Sequence, residues 1–329
     1  MEFSTTTVTK TIEKEILEDK TEDKRVFTQP MKWINVFLIS LLHFLALYCA
    51  YYCLFIHGIS TKTVIFQFLY GYIGGLGVTC GAHRLWTHRA YKATVPLRII
   101  LITGYISTGM NSLFQWVRDH RVHHRFSETD ADPHNANRGL FFSHVGWLFQ
   151  RKHPEVRRRG QEVDMSDISA DPVVLFQEKY FMILQPTLAV LVPTVIPVYF
   201  WGELWELAFL STMFRWASIL NVVWSVNSFA HIYGYRPYNQ KIMPAENFFV
   251  SMFALGEGWH NYHHTFPWDY KTSELPYYMN LSTLLIDFFA YIGWAYDLKQ
   301  SSKSAIENKA ATLGDGTYYE RMKASKRHS

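Results

Sequence analysis

Four stretches of the chain are nearly free of formal charge, and each is long enough to cross a bilayer as a helix, for which about 20 apolar residues suffice. They run from Trp33 to Ile56, from about Val64 to Ala82, from about Tyr180 to Phe200 and from about Leu204 to Phe229. Helices that are apolar on every side bury themselves in lipid or protein. The short HGISTK link joins the first pair and the tight WGEL turn the second, so the pattern predicts two helical hairpins. Pro186, Pro193 and Pro197 break the third run. Arg215 sits mid-way along the fourth, where an isolated charge in lipid is costly; that helix must extend beyond the bilayer or turn the arginine toward protein. Two shorter apolar stretches, about Val95 to Leu113 and Leu281 to Leu298, read as interfacial or cap-packed helices. The second contains Asp287 and ends in a charged tail.

The polar segments set the orientation. Residues 1–29 are mixed in charge and hold no h-region, so they predict a solvated arm and no cleavable signal peptide. The links inside the hairpins hold one basic residue, Lys62, whereas residues 83–179 are dense in Arg and Lys. By the positive-inside rule that middle segment and both termini face the cytosol. The expectation is an all-α integral membrane protein: four transmembrane helices in two hairpins under a cytosolic helical cap. Residues 1–32 form the arm, 33–298 the membrane domain with its cap at 83–179 and 230–298, and 299–329 a polar tail.

Composition excludes some alternatives. A chain of 329 residues that is 49% hydrophobic and 17% aromatic is not disordered. A net charge of +4 with no nucleic-acid motif, its basic residues placed where topology needs them, gives no reason to expect nucleic acid as a partner. Cys49, Cys53 and Cys80 lie in apolar segments and match no zinc spacing.

The fifteen histidines carry the chemistry. Three clusters stand out: His83 and His88; His120, His123 and His124; His260, His263 and His264. In the last two, the i, i+3, i+4 spacing puts three imidazoles on one face of a helix. His83 and His88 lie roughly 140° apart on an ideal α-helix, so they converge only at a bend or helix end. His231 follows the fourth span, with Asn227 one turn earlier. Together these predict a site for more than one metal ion at the cytosolic ends of the spans. Six histidines, at 43, 57, 134, 144, 153 and 328, are read as structural or solvated. Imidazole suits Fe, Zn, Cu and Ni alike. Work on an unactivated, lipid-like chain needs a redox metal with O2, which leaves iron as the conditional choice.

The boxes HRLWTH, HRVHH and HNYHH, with GAHRLWTHRAYKA, WVRDHR, DADPHNANRG, FFSHVGW, RKHP, WSVNSFAH and GEGWHNYHHTFPWDY around them, resemble the membrane-bound fatty acyl-CoA desaturases from about Met31 to Leu298. The HHTFPWDYK form looks like insect members, and GMNSLFQWVRDHR, with Met110 in place of a glutamine, looks like the moth sex-pheromone group in which Δ11 desaturation is common. The resemblance implies a diiron site on His83, His88, His120, His123, His124, His231, His260, His263 and His264, with Asn227 acting through a water. It implies a saturated acyl-CoA of C14–C18 as substrate, O2 as co-substrate, and electrons from NADH through cytochrome b5 reductase and cytochrome b5. It further implies residence in the endoplasmic reticulum membrane and a place in unsaturated fatty acid or sex-pheromone biosynthesis.

By the same resemblance Trp116 and Trp224 line a bent acyl channel, Arg118, Asp119, Arg151 and Lys152 hold the CoA headgroup, and Asn111 belongs to the substrate-binding set. Ordinary aromatic packing for the tryptophans, and a topology-only role for Arg151 and Lys152, are the alternatives. Gly71 and Gly75 either pack helices closely through the small-xxx-small spacing or widen the blind end of the channel. Rival readings of the whole chain are a histidine-box hydroxylase, an acyl-lipid desaturase and, more remotely, a non-catalytic membrane metal-binding or transport protein.

Overall fold

The computed structural model describes residues 27–275 and 280–320; the greater part of the expected N-terminal arm and His328 lie outside them. Among the described residues four helices are long and apolar enough to cross a membrane: Trp33–Phe55, Thr61–Thr87, Pro172–Trp201 and Trp205–Ile232. Their bounds explain where the apolar pattern falls short. Ser60 caps the second helix by accepting from Lys62 N, which starts it before Val64. Asp171 accepts from Val173 N ahead of Pro172, so the third helix begins a full two turns before Tyr180. Gly202, at φ +73°, ends it in the left-handed conformation that glycine takes without strain.

The prolines of the third span do not break it. The chain rewinds as a π-helix over Thr187–Leu191, directly after Pro186, and then continues as α-helix from Val192 to Trp201. A lost main-chain donor and the proline ring are absorbed by the wider turn. The fourth helix is the centre of the bundle, packed on the other three. Its Arg215 is turned inward and buried, donating to Ser107 O at 3.0 Å and Ala189 O at 2.5 Å with its guanidinium over the Tyr70 ring. Main-chain carbonyls thus replace the water that the cation gives up.

The two hairpins are tied at their turns. Glu203, buried, accepts from Ser60 N at 3.1 Å and Thr63 Oγ1 at 2.5 Å, and Trp201 Nε1 donates to Thr63 Oγ1 at 2.8 Å. The helix Val95–Ser107 packs on the second span at a close backbone crossing: a methyl group on Gly77 would stand 2.2 Å from Tyr105 N. Close packing therefore uses Gly77 and Gly104, not the Gly71-xxx-Gly75 pair. The helix Leu281–Tyr291 packs one face on Gly77–Thr87 and leaves Leu284, Phe288 and Tyr291 exposed, with Asp287 accepting from Tyr270 OH at 2.9 Å. Lys92–Ala93 pairs antiparallel with Ala295–Tyr296. The tail beyond 298 is folded onto the cap through residue 320, where Ile306, Ala310 and Tyr318 join Tyr238, Tyr262 and Phe266 in one apolar cluster.

Candidate metal centre

The first histidine box lies at the end of the second span, where Gly77–Thr87 is wound as a π-helix. His88 N donates to His83 O at 3.1 Å, five residues back, and the two rings stand 4.8 Å apart. An i to i+5 turn aligns what an α-helix would separate, so convergence comes from rewinding of the whole last turns and not from a bend. The second box is carried by the helix Leu113–Phe126, capped by Ser112, and the third by the short helix His260–Thr265. His231 ends the fourth span.

These elements gather nine imidazoles into two groups. His83, His88, His120, His124 and His263 offer nitrogens that all lie within 4.8 Å of one another; His123, His231, His260 and His264 do the same. His124 and His264 stack at 4.1 Å where the groups meet. Nε2 atoms face Nε2 atoms: His83 and His263 at 2.9 Å, His124 and His263 at 3.0 Å, His231 and His260 at 3.0 Å, His260 and His264 at 3.1 Å. The buried Nε2 atoms of His88, His120 and His123 have no hydrogen-bond partner among the described residues. Buried polar atoms without partners are costly, and a divalent cation at the focus of each group satisfies all of them at once. Burial, followed by the neighbouring imidazoles, pushes His88, His120, His124, His260, His263 and His264 well below the ordinary histidine range. That direction favours the neutral imidazole, the form that ligates a metal.

Carboxylates stand behind three of the rings. His83 Nδ1 lies 2.8 Å from Glu257 Oε2, His123 Nδ1 2.9 Å from Asp132 Oδ1, and His231 Nδ1 2.9 Å from Glu128 Oε1. For His123 and His231 the contact is a hydrogen bond, and such a partner holds the Nδ1 proton and turns the Nε2 lone pair inward. Glu257 is itself gripped by Arg84, which is fully buried and donates to Glu257 Oε1 at 3.0 and 2.8 Å, to Asn280 Oδ1 at 3.1 Å and to Thr283 Oγ1 at 2.9 Å. Burial would raise the Glu257 carboxyl, but Arg84 and His83 outweigh it and hold it down to about 2. Sequence reasoning passed over Glu128, Asp132, Glu257 and Arg84. Asp132 and Glu257 stand in DADPHNANRG and GEGWHNYHH, and Glu128 just before the former, so acidic residues close to the boxes were the available signal; Arg84, inside the first box, carried none.

A cavity of about 1270 Å³ reaches the first group: His83, His120, Trp116, Trp224, Asn227 and Glu257 line it near the histidines. Trp116 stacks on His120 at 4.9 Å, so it abuts the centre directly. Gly71 and Gly75 also line the cavity, facing Arg215 Cγ and Leu255 Cδ1 at 3.2 and 3.1 Å from the position of an added methyl group. Asn111 and Asp119 line the same cavity, and Asp119 pairs with Lys152 and, at 3.6 Å, with Arg118. Arg151 is exposed beside them. Lys32, absent from the sequence-based set, joins these cations; burial and then Lys152 lower its pKa.

Of the six remaining histidines, His134 is the exception to a purely peripheral placement: it is buried 4.3 Å from the His123 ring, with Nδ1 3.5 Å from Asp132. His43 and His144 are hydrogen-bonded to Asn221, His153 caps a helix, and His57 is exposed.

The sequence pattern of the family described as fatty acid desaturase matches residues 60–297, a stretch that holds all nine clustered histidines. The chain belongs to that family. It is 52% identical over 294 residues to the Acyl-CoA Delta-9 desaturase of Acheta domesticus, covering 89% of this chain and 81% of the relative. It is 50% identical over 288 residues to the Acyl-CoA Delta(11) desaturase of Spodoptera littoralis, covering 87% and 84%. The Stearoyl-CoA desaturase 5 of Bos taurus is 50% identical over 290 residues, covering 88% and 86%. In a desaturase an apolar cavity that reaches one histidine group suits an acyl chain, which needs surroundings that exclude water.

Proposed function

We propose that this chain is an acyl-CoA desaturase of the endoplasmic reticulum membrane, with its histidines on the cytosolic side, that introduces a double bond into a saturated C14–C18 acyl-CoA. The observation that carries the reading is the apolar cavity that meets the five-histidine group at His83 and His120. His83, His88, His120, His124 and His263 would hold one iron, and His123, His231, His260 and His264 the other, with Asn227 acting through a water. That pair of irons would supply O2 reduction and removal of two hydrogens from adjacent methylenes, with electrons from NADH passed on by cytochrome b5 reductase and cytochrome b5.

The chain's own residues bind and orient. Trp116, stacked on His120, and Trp224 bound the acyl chain beside the histidines, and the absence of side chains at Gly71 and Gly75 leaves room for its far end. Arg118, Arg151 and Lys152 supply cations for the CoA phosphates, with Asp119 ordering Arg118 and Lys152 and Asn111 adding a polar edge to the cavity. The paired tautomers set by Glu257, Asp132 and Glu128 keep the ligand nitrogens aimed before any substrate arrives.

For the bond position we propose Δ11, from the likeness of GMNSLFQWVRDHR to moth sequences. Expression in a desaturase-deficient yeast, followed by location of double bonds in the recovered fatty acids, tests both levels. Monounsaturated product with the bond at Δ11 supports the full reading. A bond at Δ9 overturns the position alone, while hydroxylated product or none overturns the desaturase reading.

A further inference from the structure

Among the described residues three carboxylates back the nine clustered histidines, and they are divided unevenly. The five-histidine group has Glu257 behind His83. The four-histidine group has two: Asp132 behind His123 and Glu128 behind His231. Both of these come from one turn that follows directly on the helix Leu113–Phe126.

The turn is built around a strained residue. Glu128 has φ +62°, a region in which a residue with a side chain is held only by its surroundings. Its N–H donates to Asp132 Oδ2 at 3.0 Å, and its carbonyl accepts from Asn137 Nδ2 at 2.9 Å. The other oxygen of the same Asp132 faces His123 Nδ1 and accepts from His134 N at 3.1 Å. One carboxylate therefore aligns His123 directly and, through the Glu128 main chain, fixes the residue that aligns His231. The two rings so aligned lie 4.9 Å apart and belong to the same group. Strain stored at Glu128 is spent on that alignment.

We propose that Glu128 is a positioning residue for the four-histidine ion alone: by holding the His231 Nδ1 proton it turns the Nε2 lone pair inward. The inference rests on the reading of two irons. It predicts that the two ions can be lost separately, and that the turn controls only one of them.

The test is iron content of the purified full-length chain in detergent after challenge with a chelator, together with Mössbauer spectra of protein loaded with 57Fe. Glu128→Gln keeps the shape and removes the charge. Removing such a partner costs about 10–100-fold in metal affinity, so retention of one iron should weaken at least tenfold while the other is held. Glu128→Gly separates the carboxylate from the backbone, because glycine adopts φ +62° without strain. It should lose the same iron and the same spectral component as Glu128→Gln, and His88→Ala should lose the complementary component. Two irons retained at unaltered affinity in Glu128→Gln or in Glu128→Gly overturns the proposal, as does equal loss of both ions. The unsubstituted chain is measured alongside: fewer than two irons there overturns the two-iron reading itself.

Discussion

His88 N–H donates to His83 O across 3.1 Å, so the two histidines of the first box are hydrogen-bonded neighbours one π-turn apart. The box is thus a property of the winding of Gly77–Thr87 as much as of its residue types. This turn also sets Arg84 beside His83, on the other oxygen of the same Glu257 and in buried bonds with Asn280 and Thr283. A single local geometry delivers two histidines to the five-histidine group and the bolt that fastens the third box to the first.

Loss of one ligand from the five-histidine group should remove one metal and the activity without removing the protein. His88→Ala and His263→Ala are expected to lower desaturation at least a hundredfold in a yeast membrane assay. Immunoblots of the same membranes should show unchanged protein, since the bundle is held by the packing of its spans. Full activity in either variant counts against the ligand assignment.

Two glycines on the second span should respond in opposite ways. An added methyl group at Gly77 meets the Tyr105 main chain at 2.2 Å, where nothing flexible gives way, so Gly77→Ala should cost upwards of about 3 kcal/mol and leave little protein in membranes. At Gly71 it meets the Arg215 stem at 3.2 Å and the cavity, so Gly71→Ala should accumulate normally. Gly71→Tyr should shift preference toward shorter acyl chains in a competition between C14 and C18 substrates. An unchanged chain-length profile would remove Gly71 from the cavity wall.

The link between the first box and the cap should fail in acid. Arg121 donates to Trp86 O at 2.6 Å and Thr87 O at 3.2 Å, and reaches both oxygens of Asp167 at 2.9 and 2.8 Å. Partial burial would raise Asp167, but Arg121 and Arg89 outweigh it and push its pKa down; Asp164 is held at about 2 by the Ser166 hydroxyl and N–H and by Arg89. Folded-state values below the unfolded ones mean that this stabilisation is present above about pH 4 and fades as pH falls toward 2. Thermal melts of the detergent-solubilised protein should drop over that window, and Asp167→Asn should flatten the drop. A variant with the same acid profile as the parent would show that the cluster does not govern it.

At the far turns, Glu203→Ala removes the acceptor shared by Ser60 N and Thr63 Oγ1. Hydrogen bonds to a charged group contribute about 1.5–3 kcal/mol each, less the relaxation of the freed donors, so Tm should fall by roughly 5–10 °C. Specific activity of the surviving folded protein should be unchanged, because the clamp lies at the opposite ends of the spans from the histidines. Loss of activity ahead of loss of folding would contradict this placement.

What the linear order of residues determined by itself was everything with a local period or composition. Runs of uncharged apolar residues marked all four spans, because insertion in lipid depends on the summed hydrophobicity of one segment. The i, i+3, i+4 spacing marked two histidine faces, because helical geometry acts within a turn. Only tertiary structure decided the division of nine histidines into five and four, which mixes all three boxes with His231. It alone set Glu257, Asp132 and Glu128 behind their rings, turned Arg215 onto Ser107 and Ala189, and chose Gly77 over Gly71 for close packing. The partners in these contacts are mostly far apart along the chain: Arg84 meets a carboxylate 173 residues away. No local period encodes such a meeting, because its energy comes from shared burial, which exists only once the elements that carry the two groups have packed.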